Sequence, residues 1–187
     1  MSKQNKSKAG KQNLNNSANL PVKSFWNPRN IVIAVLVVVI IAGLVYNFFI
    51  RKTEPQFVKQ GEVTFINNGT KAAIRKIDVE LAITPDKQAQ GLMYRSHMAD
   101  SLGMLFIMPS VSKHAFWMKN TLIPLDIAFI DSIGRIDTIY RDAAPLSERS
   151  LPSRRRVQFV IEVNSGFCNK NGIKEGDLIS YRVMNYK

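Results

Sequence analysis

The stretch from Phe116 to Asp131 holds the highest concentration of chemically specific side chains in this sequence. It places Trp117, Lys119 and Asn120 shortly before an apolar run that contains a single acid, Asp126. The alternation of side chains around Asp126 predicts a strand with this carboxylate between aliphatic neighbours. A charge in such surroundings needs a hydrogen-bonding or ionic partner. This stretch is therefore the first candidate for a functional site.

Two interpretations of Asp126 remain open. It is either a general base or ligand anchor, or a buried structural carboxylate that pairs with Arg95 or accepts hydrogen bonds from the corner at residues 119–121. Structural ion pairs are common, so we favour the structural interpretation. Trp117 likewise either stacks on a ligand or fills the core. The candidate ligand-binding or structural cluster is Arg95, Trp117, Lys119, Asn120 and Asp126, and no residue is assigned a catalytic role.

The sequence predicts neither a metal site nor a cofactor. His97 and His114 are seventeen residues apart and lack the spacing of a helical metal-binding pair. Cys168 is the single cysteine, so one chain cannot form a disulfide, and no motif supports it as a nucleophile. Five methionines on separate elements fit core packing better than Cu(I) binding. They are Met93, Met98, Met104, Met108 and Met118.

The net charge of +12 is unevenly distributed. Residues 1–29 contain six cations and no acid, whereas residues 60–187 contain seventeen cations and thirteen acids. A DNA-binding domain concentrates its basic excess within the fold, so we expect no nucleic-acid partner. The polar composition of residues 1–29 offers little to bury and predicts a disordered basic tail.

The apolar segment at residues 30–50 predicts one transmembrane helix. Of residues 31–50, fifteen are Ile, Val, Leu or Phe, and none is charged. A helix of this length spans about 30 Å, which matches the hydrocarbon core of a bilayer. A buried strand would be shorter, and a cleaved signal peptide would be followed by small residues rather than by Tyr46 and Phe48. We therefore expect an uncleaved anchor in the cell membrane.

Flanking charges predict the orientation of this anchor. Six cations precede the apolar segment and three follow within nine residues, although Arg51 and Lys52 lie directly after it. The excess predicts a cytoplasmic N-terminus and an extracytoplasmic C-terminal domain, which is periplasmic in a Gram-negative cell. Residues 51–61 read as a linker, and residues 62–187 as the globular domain.

Period-two alternation predicts a mainly β domain, either a β-sandwich or barrel-like, with two short helices. Thr84 followed by Pro85 predicts a helix start, with the helix ending near Gly91. Residues 165–171 predict a single helical turn stopped by Gly172. The predicted strands are 63–66, 77–83, 102–108, 113–118, 125–130, 135–140, 157–163 and 178–183.

The loop with Arg154, Arg155 and Arg156 is either solvated or contacts an anionic headgroup or acidic partner.

Five motifs, taken in order and spacing, resemble the uncharacterised family called Domain of Unknown Function 192. The resemblance covers about residues 75–185 and implies a compact, mainly β fold, often secreted or membrane-anchored, with no established activity. At residues 144–156 the chain departs from the family pattern, so any role of that loop in relatives does not transfer. The motifs are Gly91–Arg95, Gly103–Phe106, Phe116–Thr121, Ile123–Asp131 and Gly172–Asp177.

These observations support two functional hypotheses. The first is a non-catalytic, membrane-anchored extracytoplasmic domain that binds a small molecule or an envelope protein. The alternative is an enzyme, hydrolase-like or other, that uses Asp126 with Arg95, Lys119 and Asn120. An enzyme requires a cleft in which Asp126 is reachable, whereas a binding module can bury it entirely.

Overall fold

A computed structural model describes residues 27–53 and 55–184 of the chain. Nearly all of the predicted disordered tail, residues 1–26, lies outside the described residues. The first helix, α1, runs from Pro28 to Thr53, and its part from Pro28 to Tyr46 is long and apolar enough to cross a membrane. Pro28 suits the first helical position, and the Asn27 side chain accepts a hydrogen bond from Arg29 N at 3.2 Å. By length and composition, α1 can serve as a membrane anchor or as a signal sequence.

The C-terminal unit is mainly β, with two short helices, as the alternation predicts. Its strands are β1 (Gly61–Ile66), β2 (Ala73–Ala82), β3 (Leu102–Ser112), β4 (Ala115–Phe116), β5 (Leu125–Ile130), β6 (Ile136–Ala143), β7 (Leu151–Pro152), β8 (Val157–Asn164) and β9 (Leu178–Val183). Its helices are α2 (Pro85–Gln90) and α3 (Phe167–Lys170).

Seven strands form one mixed sheet in the order β6-β5-β8-β3-β2-β1-β9, and β4 pairs with β7 separately. All neighbours are antiparallel except β2 and β3, which are parallel and are connected through α2. The two edge strands approach each other at one end, where Ile179 N donates to Gly134 O at 2.7 Å and Ile136 N donates to Asp177 O at 2.8 Å. The sheet therefore curls towards a barrel.

The two faces of this sheet carry separate apolar clusters. The inner cluster takes residues from all seven strands and from α3, including Phe65, Val79, Ile161 and Phe167. The outer cluster covers the opposite face of the central strands, and Met104 belongs to it. All six residues of β5 are buried, because β5 lies between β6 and β8 and is covered on both faces.

Helix α2 begins as its sequence predicts. Thr84 has an extended backbone, its Oγ1 accepts from Lys87 N at 3.4 Å, and Pro85 occupies the first helical position. The helix ends at Gly91, whose φ of +49° lies in the region that favours glycine. This ending turns the chain sharply back towards β3.

The six residues before β1 pack onto the domain. Val58 N donates to Glu80 Oε1 at 2.9 Å, and Gln60 N donates to Val79 O at 2.9 Å. The side-chain oxygen of Gln60 accepts a hydrogen bond from Leu81 N at 2.6 Å, and its backbone oxygen accepts one from Met184 N at 2.9 Å. Residues 55–60, which we call the strap, are thus fastened to β2 and to the end of β9.

Candidate functional site

A cavity of about 320 Å³ lies between α2, the turn that follows it, β3, the β4 region and β8. Its lining is mostly apolar and aromatic, as is usual for small-molecule sites. The lining residues that matter most for its chemistry are Gly91, Met93, Phe106, Phe116, Trp117 and Glu162. Among the described lining residues, Glu162 is the one titratable group.

Glu162 reaches the cavity because of its register in β8. Val163 and Ile161 point into the inner cluster, so Glu162 lies on the opposite face. It is flanked across the sheet by Met104 of β3 and Ile127 of β5. Its side chain is 95% buried, with 5% exposed, and has no hydrogen-bond or ion-pair partner among the described residues.

The environment of Glu162 favours its uncharged form. Burial raises the pKa of Glu162 to about 8 from an ordinary value of 4.5. A carboxyl group with that pKa is mostly protonated at pH 7. It then offers one O–H donor and one carbonyl acceptor to whatever enters the cavity.

Gly91 keeps the space over this carboxyl group open. A Cβ at this position would lie 3.3 Å from Phe106 Cζ and 3.7 Å from Glu162 Oε2. A side chain here would therefore occupy the volume next to the carboxyl oxygen. The positive φ and the open space over Glu162 both depend on glycine.

Aromatic rings form one wall of the cavity. The rings of Phe106 and Phe116 meet edge to face with centroids 4.9 Å apart, and Phe116 meets Phe129 in the same way at 5.6 Å. These contacts fix the inner rings in position. Trp117 continues the wall outwards and remains 48% exposed, so one part of its indole is available to a ligand.

Three of the five described non-glycine residues with positive φ are next to lining residues in sequence or are hydrogen-bonded to one. Tyr94, Asn120 and Leu146 have φ values of +65°, +56° and +60°, which are uncommon for residues other than glycine. Hydrogen bonds connect these positions, because Tyr94 N donates to Asn120 O at 2.8 Å and Leu146 N donates to Thr121 O at 3.0 Å. Such strain is concentrated at functional sites, where surrounding structure maintains it.

Comparison with known proteins identifies the family. Residues 65–181 match Domain of Unknown Function 192, DUF192, described as an uncharacterized ACR. The chain belongs to the DUF192 family. The resemblance that the five sequence motifs indicate is therefore confirmed. The family carries no described activity, so function has to be argued from the site.

Proteins from three organisms are similar to this DUF192 chain. A UPF0127 protein of Thermococcus gammatolerans is 32% identical over 127 residues, which cover 65% of this chain and 78% of the relative. A solved protein of Sinorhizobium meliloti, named as a candidate transcription regulator, is 38% identical, with a TM-score of 0.63 over 68% of this chain and 98% of its own. A solved protein of unknown function from Novosphingobium aromaticivorans is also 38% identical, with a TM-score of 0.60 over 64% of this chain and 83% of its own.

Three of the five sequence-predicted site residues lie at the cavity of the DUF192 domain or at its mouth. Trp117 lines the cavity. Lys119 Nζ lies 5.1 Å from the centre of the Trp117 ring and 3.6 Å from Glu148 Oε1. Asn120 Nδ2 lies 3.9 Å from Sδ of Met93, another lining residue.

Arg95 lies elsewhere and does not pair with Asp126 as the sequence suggested. It is buried and forms an ion pair with Glu80, which also accepts the strap bond from Val58 N at 2.9 Å. Glu80 and Glu162 are on the same sheet face but are separated by Met104, because each aligns with that residue in register. Arg95 is thus part of the attachment between the strap and β2.

Asp126 is fully buried and faces away from the cavity. Its Oδ1 accepts from Asp142 N at 3.0 Å and from Gly166 N at 3.2 Å, and its Oδ2 accepts from Cys168 N at 2.9 Å. The N–H groups of Gly166 and Cys168 lie at the start of α3, where backbone N–H groups have no partner within the helix. The expected bonds from residues 119–121 do not form, because alternation along β5 directs Asp126 to the inner face. Asp126 therefore has a structural role, because it connects β5 to the end of β6 and to the start of α3.

The remaining candidates from the sequence are also placed. Burial raises the pKa of the Cys168 thiol to about 12, and the charge of Asp126 acts in the same direction, so the thiol is a poor nucleophile at neutral pH.

The arginine loop is bonded to neighbouring segments. Arg154 Nη1 lies 2.7 Å from Glu175 Oε2, and Arg155 Nε lies 3.6 Å from Asp137 Oδ1. Arg156 donates to a backbone carbonyl at 2.6 Å. Within the described residues, no three His, Cys, Asp or Glu side chains group to hold a metal ion.

The sequence pattern did not single out Glu162 as a candidate site residue. It placed this acid in the predicted strand at residues 157–163, on the face opposite Phe159 and Ile161. Helix α2 and the β4 region cover that face, which local periodicity does not show. One signal was present in the sequence, since Glu162 is the single acid within an otherwise apolar run from Phe159 to Val163.

Proposed function

We propose that this DUF192 domain is a membrane-tethered binding module that takes a small, largely apolar ligand into the cavity above Glu162. The observation that carries the proposal is a buried acid without a partner, at an open cavity. Burying a polar group without a hydrogen bond costs free energy, and such groups in native proteins call for an explanation. A ligand that satisfies Glu162 supplies one.

The shape and the lining support a small ligand. A volume of about 320 Å³ is at the lower end of the range for small-molecule sites, roughly 300–1,000 Å³. Phe116, which is held by its contact with the buried Phe106, offers fixed aromatic surface, and Trp117 offers a half-exposed ring. Backbone hydrogen bonds from Tyr94 N and Leu146 N to the segment at residues 120–121 hold these loops in place beside the lining residue Thr121.

The positions of the four residues named for an enzyme support the binding module over the enzyme alternative. Asp126 faces the inner cluster, Arg95 is bound to Glu80, and only Lys119 and Asn120 lie near the cavity mouth. These four residues do not surround one cleft. A binding role for the cavity needs none of them as a catalyst.

Tethering and orientation complete the proposal. Helix α1 acts as a single-pass anchor, and the excess of cations before it keeps the N-terminus in the cytoplasm. The domain is then extracytoplasmic, and its ligand is a small molecule or a segment of an envelope protein available on that side. A small molecule fits the size of the cavity better.

The test is recovery of the ligand with the protein. The full chain is purified from membranes, its bound small molecules are extracted, and mass spectrometry compares wild type, Glu162→Met and the control Glu148→Gln, which changes an exposed acid near the mouth. We expect a species that wild type and Glu148→Gln retain and Glu162→Met loses. Replacing an unpartnered buried acid with an apolar side chain should leave the fold intact. Identical extracts from all three proteins would overturn the proposal.

A further inference from the structure

Among the described residues, the lining of the cavity carries no charge that could neutralise an ionised Glu162. From α2 the lining residues are Gln88, Ala89 and Gln90, and from the β4 region they are uncharged as well. Lys87 of α2 lines a separate cavity together with Glu80 and Arg95.

Charged groups on the other packed elements are also directed elsewhere. Arg95 is paired with Glu80 beyond Met104. Lys119 lies between Trp117 and Glu148. On β5, Asp126 faces the inner cluster. Desolvation is accordingly the one cause of the raised pKa of Glu162.

Two other polar side chains of the cavity, Gln88 and Thr121, already have partners. Gln88 Nε2 donates to Ile107 O at 2.9 Å and to Ala82 O at 3.2 Å. Thr121 Oγ1 donates to Lys119 O at 3.4 Å. Gln90 and Trp117 also line the cavity with neutral polar groups, so Glu162 is the one acidic lining side chain, among the described residues, whose hydrogen-bonding capacity is available to a ligand.

We propose that Glu162 binds its ligand as an uncharged carboxylic acid and that the ligand presents a carboxamide. The acid O–H donates to the ligand carbonyl oxygen, and the acid carbonyl oxygen accepts the ligand N–H, so both polar atoms of each group are satisfied in one plane. The inference rests on the proposed function and adds the chemical class of the ligand.

Other ligand groups satisfy this site less well. An ester accepts the O–H but has no donor for the acid carbonyl oxygen. A protonated amine requires Glu162 to ionise, and the burial of two charges in an apolar cavity costs more than their attraction returns unless further hydrogen bonds form. An amide is uncharged around neutral pH and therefore brings no second charge into the cavity.

Binding should consequently depend on pH in one direction. Below pH 8 the acid form dominates and the two-point hydrogen bond is available. Above that value Glu162 loses its proton, cannot donate, and repels the ligand carbonyl oxygen. Affinity for an amide should fall by about tenfold for each pH unit once pH exceeds the pKa of the free site.

Calorimetric titration of the full chain in lipid nanodiscs tests this inference, with empty nanodiscs as the blank. The probes are benzamide, methyl benzoate and benzylamine, which share one ring and differ in the polar group. We expect benzamide to bind at least about tenfold more tightly than either of the others at pH 6.5, the size of one lost hydrogen bond. We also expect its affinity to drop between pH 7 and pH 9.5.

Variants separate hydrogen bonding from charge. Glu162→Gln keeps a donor and an acceptor in the same plane, so it should bind benzamide within about threefold of wild type and lose the pH dependence. Glu162→Met removes both groups and should weaken benzamide by at least about tenfold. Glu148→Gln should behave as wild type. Thermal unfolding confirms that each variant is folded.

The outcomes are distinct. Tightest binding of benzylamine would overturn the inference and leave the cavity as a binding site for a cation. Loss of benzamide binding in Glu162→Gln would overturn the two-point hydrogen bond. Failure of benzamide to bind wild type at millimolar concentration would overturn it too. The proposed function itself fails only if ligand extraction also shows no species that depends on Glu162.

Discussion

Glu162 and Asp126 show how two buried acids in one small domain take different roles. Asp126 accepts three backbone hydrogen bonds, whereas Glu162 accepts none from the described residues. Hydrogen bonds from backbone N–H groups to a carboxylate are stronger than those between uncharged groups, so they stabilise the segments that donate them. An unpartnered acid is destabilising when it ionises. Asp126 is thus suited to connecting structural elements, and Glu162 is suited to binding a ligand.

Glu162 should make the domain less stable as pH rises. Its pKa is 4.5 when unfolded and about 8 when folded, so the folded state binds more protons between these values. Stability is fully present below about pH 4.5 and is lost progressively up to about pH 8. At about 1.4 kcal/mol per pKa unit, the loss is at most about 5 kcal/mol.

The variant Glu162→Gln should remove this dependence. In urea unfolding of residues 55–187, we expect the variant to be more stable than wild type at pH 8.5 and close to it at pH 4.5. Equal stability curves for the two proteins across this range would show that Glu162 ionises normally in the fold.

Asp126→Asn should destabilise the domain by about 2 to 4 kcal/mol. The amide group keeps one acceptor but turns N–H donors towards backbone N–H groups, which leaves buried donors unsatisfied at about 1–3 kcal/mol each. Urea unfolding measures the loss, with Asp86→Asn on the exposed first turn of α2 as the control, expected to change stability by less than about 1 kcal/mol. A loss below about 1 kcal/mol for Asp126→Asn would contradict the structural role.

At the scale of elements, the turn that ends α2 connects the fold to the cavity. We expect Gly91→Ala to lose about 1 to 3 kcal/mol of stability because its backbone conformation is strained for any side chain, and to weaken ligand binding because the new methyl group lies beside Glu162 Oε2. Gly172→Ala is the matched control, since it also has a positive φ of +67° but no atom within 4 Å of its added Cβ. It should lose stability and keep binding. Unchanged binding in Gly91→Ala would show that the turn does not control access.

The strap should be necessary for full stability of the β domain. Without residues 55–60, Glu80 loses the bond from Val58 N, and the main-chain groups of Val79 and Leu81 lose the bonds to Gln60. At roughly 0.5–1.5 kcal/mol for each ordinary hydrogen bond, more for the one to a charge, the loss should be about 2 to 4 kcal/mol. Urea unfolding of residues 55–187 against residues 61–187 measures it. Equal midpoints and slopes would mean that the strap contributes no net stability.

At the scale of the whole molecule, the charge asymmetry around α1 predicts an extracytoplasmic domain. Protease added to intact spheroplasts should digest the chain beyond about residue 60. The positive-inside preference supplies the reason, because cations flanking a span are retained in the cytoplasm. A cytoplasmic marker protein that stays intact controls for lysis. Protection of the domain until the cells are lysed would reverse the orientation.

Local sequence patterns determined much of this architecture. The apolar composition of residues 31–50 predicts a long helix without reference to the rest of the chain. Alternation located the main strands of the sheet, and the capping pattern at Thr84 and Pro85 located α2, because periodicity and capping depend on neighbouring residues. The same alternation correctly predicted that Asp126 is buried between aliphatic residues.

The partners of the buried polar groups were decided by tertiary structure. Asp126 binds amides 40 and 42 residues away, and Arg95 binds Glu80 rather than Asp126. The predicted strand at residues 157–163 contains Glu162, but alternation does not show that α2 and the β4 region cover its face of the sheet. Periodicity shows on which side of a strand a side chain lies. Which residues cover that side depends on contacts between segments far apart in the chain, and these form only when the sheet assembles.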